Sequence, residues 1–320
     1  MKAVSYTKYG SPDVLHIIDV EKPHPKDNEV LIKVHATTVN RTDSGLRSAN
    51  YFVSRIFTGL WRPKRAVMGS EFAGKIVTIG ADVTEFAVGD KVFGFDDTRG
   101  AAHAEYMVLP SNGPIATMPR GYTYEQMAPA GEGATYALSD IFSANVQKGQ
   151  SVLVYGASGA IGSAAVQIVQ HLGADITAVC GTNAVALIKS LGVRDVVDYQ
   201  KRDFSQTNKR YDFIFDAVGK SSYGVCKKLL KPGGSYCSTE LGKGGQNPLL
   251  AILFLITRSR RVIFPIPKIN KEKIEYIKAI IETGAFTPLI DRVYPMDQIV
   301  EAAEYVESGK KLGNVVIKID

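Results

Sequence analysis

Residues 151–155, SVLVY, run straight into Gly156-Ala-Ser-Gly-Ala-Ile-Gly162, and a helical pattern follows at once. Few features restrict a fold more. An apolar strand that turns through three glycines into an amphipathic helix is a βα unit whose turn must stay open. The helix pattern covers residues 160–172, with Ile161, Ala164, Ala165, Ile168, Val169 and Leu172 on its apolar face. Each small residue has a task. Gly156 makes the tight turn, Gly159 lets a ligand approach the backbone, and Gly162 lets helix and strand pack closely. Ser158, Ala160 and Ile161 flank the helix start, where free N–H groups and the positive end of the dipole favour phosphate. A glycine triplet alone says little. In this setting it specifies a cradle for the pyrophosphate of a dinucleotide.

The alternation continues on both sides of this unit. Residues 175–180, 196–199, 211–218 and 235–239 read as strands, with residues 262–267 as a sixth. Helical patterns fill residues 184–191, closed by Gly192, and the stretch from Lys271, capped by Asn270 and stopped at Gly284. Strand alternating with helix means a parallel sheet covered on both faces. The first third differs. Residues 30–34, 75–79 and 91–95 are short β segments punctuated by Gly and Asp. After Gly284 the β texture returns at residues 289–294 and 315–319, around a helix over 296–308. The tail is therefore expected to rejoin the first domain. The fold class is α/β: a doubly wound parallel sheet over residues 121–287, inserted in a mostly β, barrel-like domain of residues 1–120 plus 288–320.

At 320 residues the chain suits two domains, and 45% hydrophobic with 22% charged residues is ordinary for a globular protein. The net charge of +6 suits an anionic ligand, and is equally met by incidental surface lysines. No Lys/Arg run with interleaved aromatics favours nucleic acid. Cys180, Cys226 and Cys237 are odd in number and lack paired metal spacing, so a reducing, cytoplasmic setting is expected. The opening MKAVSYTKYG has no apolar signal core. The longest apolar run, residues 249–256 (LLAILFLI), is too short for a bilayer and reads as a core or subunit-contact helix, with a membrane-surface contact as the other reading.

The end of the second parallel strand discriminates between nicotinamide dinucleotides. An NAD enzyme places Asp or Glu there for the ribose hydroxyls. Here Val179-Cys180-Gly181-Thr182-Asn183 holds no acid. Thr182 and Asn183 can bond a 2′-phosphate, with Lys189 further along the helix and Tyr199 ending the next strand. NADPH is the expected cofactor.

Taken together, VLIKVHATTVNRTD (30–43), GSEFAGKIVTIGADVTEFAVGDKVFGF (69–95), VLVYGASGAIGSAAVQIVQHLGA (152–174), YDFIFDAVG (211–219) and GNVVI (313–317) resemble the zinc-free quinone oxidoreductase branch of the medium-chain dehydrogenases/reductases. The resemblance runs end to end. It implies a GroES-like first domain, NADPH, a homodimer, an active site between the domains, and hydride delivery to a quinone or α,β-unsaturated carbonyl compound. Zinc alcohol dehydrogenases have Cys-x-x-Asp where this chain has Asn40-Arg-Thr-Asp43, and Gly-His-Glu where it has Gly69-Ser70-Glu71. An amide and a hydroxyl do not replace Cys and His as zinc ligands, so no metal is expected.

Without a metal, hydrogen bonds or conjugation must polarise the substrate. Asn40 can donate an amide N–H to the substrate or nicotinamide, or serve as a turn residue. Asp43 can order the nicotinamide pocket or cap a helix. Tyr51 brings an aromatic hydroxyl or packs, and Phe52, Phe57 and Trp61 suit an apolar wall. The resemblance brings Thr135, Val218, Gly219 and Asn314 to the cofactor. His103 reads as a surface turn. Two further readings stand. One is enoyl-thioester reduction or alcohol oxidation on the same scaffold. The other is an NADPH-binding structural or RNA-binding protein with weak catalysis.

Overall fold

The structure is a computed structural model that describes every residue except 50–54, 56–57, 65–66, 258, 260 and 320. Its strands in chain order are β1 (Lys2–Ser5), β2 (His16–Asp19), β3 (Glu29–Val39), β4 (Glu71–Ile79), β5 (Lys91–Phe95), β6 (Tyr106–Pro110), β7 (Ile115–Thr117), β8 (Ser151–Tyr155), β9 (Asp175–Cys180), β10 (Asp195–Asp198), β11 (Tyr211–Asp216), β12 (Leu230–Ser238), β13 (Val262–Ile263), β14 (Ile290–Pro295) and β15 (Asn314–Lys318). The longer described helices are α1 (Arg41–Ser48), α2 (Glu132–Ser143), α3 (Ala160–His171), α4 (Val185–Ser190), α5 (Gln246–Ile256), α6 (Lys271–Glu282) and α7 (Ile299–Glu307).

Two compact units divide the chain. The first comprises Met1–Glu132, Ile269–Glu282 and Pro288–Asp320. Its main sheet has the order β14-β15-β3-β4-β5-β7, with β6 also paired to β3. Strand β3 is buried along most of its length and is the hub of this sheet. Its apolar side chains share a core with Phe72, Ile76 and Val92 from the neighbouring strands and with Ile299, Ala302 and Val306 of α7. The C-terminal strand β15 pairs antiparallel with β3, so the tail does rejoin the N-terminal part. Residues 121–132 and 269–282 also belong to this unit, where the sequence reading placed them with the dinucleotide domain. For residues 269–282 the reason is local docking: Lys278 of α6 donates to Thr117 of β7 at 2.7 Å, and Lys271 ion-pairs with Glu85.

The second unit, Gly133–Lys268 with Thr283–Thr287, carries a wholly parallel sheet of order β10-β9-β8-β11-β12-β13. Numbered along the chain, this is the 3-2-1-4-5-6 order of doubly wound dinucleotide folds, with its crossover point between β8 and β11. Val152–Val154 of β8 and Phe213–Phe215 of β11, at the centre of the sheet, are buried because neither face meets water there. The sixth strand is shorter than expected, Val262–Ile263 rather than 262–267.

Candidate active site

Strand β3 delivers Thr38 and Asn40 to one end of the first unit's sheet, and β4 begins there with Glu71. Asn40 is the N-cap of α1, and its backbone N–H donates to Asp43 Oδ2 at 2.8 Å. Asp43 therefore caps the helix. Glu71 is fully buried. Its Oε2 accepts from Thr38 Oγ1 at 2.6 Å and Asn40 Nδ2 at 2.8 Å, and its Oε1 accepts the N–H of Glu132 at 2.5 Å. A carboxylate of β4 thus accepts the N–H of Glu132, the first residue of α2, where the helix dipole favours negative charge.

That contact seats a second carboxylate, Glu132, beside the first. Glu132 Oε2 accepts from Asn40 Nδ2 at 2.7 Å and from Ser70 Oγ at 3.4 Å. Its Oε1 faces Thr42 Oγ1 at 2.5 Å. Thr42 is half-buried, whereas Asn40, Asp43, Ser70, Glu71 and Glu132 are all buried. Burial, with the charges of Glu71 and Asp43 behind it, pushes Glu132 well above the ordinary carboxylate range. Burial also raises Glu71, against its three donors, and raises Asp43, against His103. Burial pushes the Lys311 ammonium down to about 8, while the two glutamates pull it back up.

The expected role of Asn40 is corrected by this geometry. Its amide carries two hydrogens, and they already meet Thr38 Oγ1, Glu71 and Glu132, so neither is left for a substrate oxygen. His103 is not on a surface turn. It is buried, and its Nε2 donates to the Thr38 carbonyl at 2.7 Å, because β3 and the segment before β6 pack there. Tyr51, Phe52 and Phe57 lie outside the described residues. Trp61 stands 85% exposed, so it forms no wall with buried neighbours. Glu71, Glu132, Thr42 and Lys311 were missed as site residues. The trace that could have found Glu132 is a lone acid in the small-residue run APAGEGATYAL.

In the second unit, Gly156 leaves β8 at φ +79°, and a Cβ there would lie 2.5 Å from Val218 Cγ1. Side chains rarely adopt this backbone, and Val218 fills the only direction a side chain could take. Gly159 is the N-cap of α3, so the N–H groups of Ala160, Ile161 and Gly162 lack helical acceptors behind them. Val218 and Gly219 follow β11, next to β8. Thr135 Oγ1 is buried without a partner, as is Asn314 Oδ1 in the first unit. The open turn and the unpartnered Thr135 hydroxyl fit a dinucleotide.

At the ends of β9 and β10, Tyr199 Oη and Asn183 Oδ1 would each lie 3.2 Å from a Cβ on Gly181, so both gather beside Thr182. Lys189 is exposed on α4. The structure adds a carboxylate: Thr182 Oγ1 donates to Asp198 Oδ2 at 2.6 Å, with Lys201 3.8 Å from the same oxygen. Asp198 sits opposite Cys180 in the parallel register. The acid absent from the end of β9 is supplied by its neighbour.

The family described as alcohol dehydrogenase GroES-like domain matches residues 26–120, and that described as zinc-binding dehydrogenase matches residues 191–317. The chain is 30% identical to 2-methylene-furan-3-one reductase of Solanum lycopersicum, over 99% of the chain and 79% of that protein. It is 26% identical to the chloroplastic NADPH-dependent alkenal/one oxidoreductase of Arabidopsis thaliana, over 99% and 79% respectively. The solved quinone oxidoreductase of Coxiella burnetii superposes with a TM-score of 0.89 at 25% identity, covering 100% of this chain and 99% of that one. The residues at hand do not fit the zinc of the second family description. Positions 40 and 70 offer an amide and a hydroxyl, and the nearby carboxylates are bound by Thr38, Asn40, Thr42 and the backbone of Glu132. Among the described residues no cluster of three His, Cys, Asp or Glu is arranged to hold a metal ion. Fold, glycine turn and sequence agree: the chain is an oxidoreductase of the medium-chain dehydrogenase/reductase superfamily and belongs to its quinone oxidoreductase branch.

Proposed function

We propose that this protein uses NADPH to reduce a small conjugated carbonyl compound, an enone or a quinone, without a metal. The observation that carries the reading is the buried acidic pair Glu71 and Glu132 at the site where a carbonyl would otherwise be polarised by a cation. Anionic surroundings do not stabilise the alkoxide of a plain ketone. In a conjugated acceptor the charge that follows hydride addition spreads over several atoms and needs less help. The names of the two plant reductases, each specifying or implying a conjugated carbonyl, support the same class. Backbone N–H groups at 159–162 would hold the pyrophosphate, and Thr135 and Asn314 would reach the cofactor. The bound dinucleotide would supply the hydride.

Thr182, Asn183 and Tyr199 support NADPH, and Asp198 opposes it, since its carboxylate repels a 2′-phosphate and accepts from a free ribose hydroxyl. The preference should therefore be modest. The test is a screen of NADPH and NADH oxidation against enones, quinones, acyl-thioesters and simple ketones. Enones or quinones with NADPH should turn over fastest, and Asp198→Asn should shift the ratio of cofactor affinities about tenfold further toward NADPH, an energy of roughly 1.4 kcal/mol. Faster turnover of simple ketones, or an unchanged ratio in the variant, would count against the reading.

A homodimer is proposed on separate grounds. Strand β13 ends the parallel sheet with a free edge among the described residues. Beside it, α5 turns Leu250 and Phe254 to the core, while Leu249, Ile252, Leu253 and Ile256 share an exposed face at helical spacing. A second copy would cover both features. Light scattering should give a dimer for the unmodified protein and a monomer for Leu253→Glu. A monomeric parent, or a variant that stays dimeric, would rule the surface out. All three cysteines are buried and free, which suits a cytoplasmic setting; among the described residues no helix is long and apolar enough to cross a membrane.

A further inference from the structure

We propose that Lys33, Lys75 and Lys91 form a binding site for a linear oligophosphate, a ligand of linked phosphate groups, on the sheet of the first unit. The site is separate from the proposed reduction and does not depend on it. The three lysines stand in register on neighbouring strands. Lys33 of β3 lies directly opposite Lys75 of β4, and Lys75 lies directly opposite Lys91 of β5. Residues paired in this way project from the same face of an antiparallel sheet. Lys33 is half-buried and Lys75 and Lys91 are exposed, whereas Ile32, Ile76 and Val92 beside them are buried. The row therefore crosses the outer face of the sheet over two strand spacings, about 10 Å.

Such a row is unfavourable by itself, because like charges directly opposite one another destabilise a sheet. Elsewhere lysines are paired with acids: Lys271 with Glu85, Lys231 with Asp212 and Lys209 with Asp195. Among the described residues no acid forms an ion pair with Lys33, Lys75 or Lys91. His35, two residues along β3, feels the field they make. Burial lowers its pKa, and Lys33, Lys75 and Lys91 lower it further, against the pull of Glu125. An anion laid along the row would offset repulsion that the fold leaves uncompensated.

The residue type selects the ligand. Lysine supplies all the charges of the row, and its compact ammonium with rotatable donors suits the tetrahedral oxygens of phosphate. A planar carboxylate is better matched by the fork of arginine. Flexible four-carbon stems let neighbouring ammonium groups converge on one chain of phosphates. The flanking rings are engaged within the protein. Tyr124 stacks on His35 at 4.4 Å between centroids and has Lys91 over its ring at 5.4 Å. Tyr106, opposite Lys33 on β6, has Lys22 over its ring at 4.0 Å. Sites for single-stranded nucleic acid offer aromatic faces to the bases. Rings already covered by cations favour a ligand that brings phosphates without bases.

The test uses the full chain and inorganic tripolyphosphate at constant ionic strength, with NADPH present so that the glycine turn does not compete for the probe. Proton–nitrogen spectra of the histidine rings should show the His35 midpoint rising as tripolyphosphate is added, because the anion offsets the lysine charges. The resonance is identified by its absence from His35→Gln. In calorimetric titration Lys75→Thr should weaken binding at least about tenfold, the scale of one charge-assisted hydrogen bond. Without the anion, the same variant should unfold at a higher temperature than the parent, since threonine suits a strand and the removed charge faced two others. Weaker binding by a more stable protein cannot come from misfolding. An unmoved His35, parent-like affinity in Lys75→Thr, or an equal response to sulfate overturns the site, the last by reducing it to a general counter-ion effect. A lowered unfolding temperature in Lys75→Thr overturns the reading of the row as uncompensated charge. A single-stranded oligonucleotide that binds more tightly than tripolyphosphate overturns the choice of ligand.

Discussion

Asn40→Leu is expected to destabilise the protein by about 3 kcal/mol, an effect set by the buried acids that Asn40 serves. Leucine has a similar volume, so cavity formation contributes little. What is lost is the shared amide donor to Glu71 Oε2 and Glu132 Oε2, at 2.8 and 2.7 Å. Both acceptors are buried, and no water can replace the donor. The thermal midpoint should fall by roughly 6 °C or more. The cost should also depend on pH. The folded-state values of Glu71 and Glu132 lie above their unfolded values. Such groups contribute most below the ordinary carboxylate range, and the contribution is lost as pH rises through the raised values. The amide matters most to the ionised forms, so the variant should be hurt more in alkali than in acid. Scanning calorimetry across pH is the measurement. A parent-like midpoint with a lowered kcat would restore Asn40 to the oxyanion role that the sequence suggested.

Gly162→Ala should remove most NADPH binding, at least about 100-fold or nearly 3 kcal/mol. A Cβ at this position would lie 2.0 Å from the Gly156 carbonyl oxygen and 2.9 Å from Ala157 Cα. These are backbone atoms of the glycine turn proposed to hold the phosphates, and they can give way only if the turn opens away from α3. Gly159→Ala makes a useful contrast. Its Cβ would meet only the Gly156 oxygen at 3.7 Å, an ordinary contact. That variant should fold like the parent, and any loss of affinity would report crowding of the ligand itself. Fluorescence titration with NADPH, alongside circular dichroism, separates the two. Parent-like binding by folded Gly162→Ala would mean that the loop is not the phosphate site.

Whereas the strand order around β8 came from the structure, the sequence by itself determined the parallel sheet and the return of the tail to the N-terminal part. Those features are written in patterns a few residues long: SVLVY before three glycines, the 3.6-residue spacing of residues 161–172, the β-branched run that pairs as β15. Local patterns suffice because a strand or helix declares which of its faces is buried wherever it packs. The strand–glycine turn–helix unit of residues 151–171 was legible for the same reason. Only the tertiary structure decided the chemistry of the acidic site. Asn40 and Glu132 stand 92 residues apart, and no periodicity links them. Glu132 reads locally as a solvent-facing acid at a helix start, and it is buried beside a second carboxylate because Glu71 of β4 accepts its N–H. Asp198 was invisible in the same way, since it reaches Thr182 through the register of β10 on β9 and not through the β9 strand end where the sequence rule looks. His103 became buried because its ring bonds the Thr38 carbonyl across the sheet. In each case the side chain's role depends on which partner removes it from water, and burial against a distant segment is a property of the fold alone.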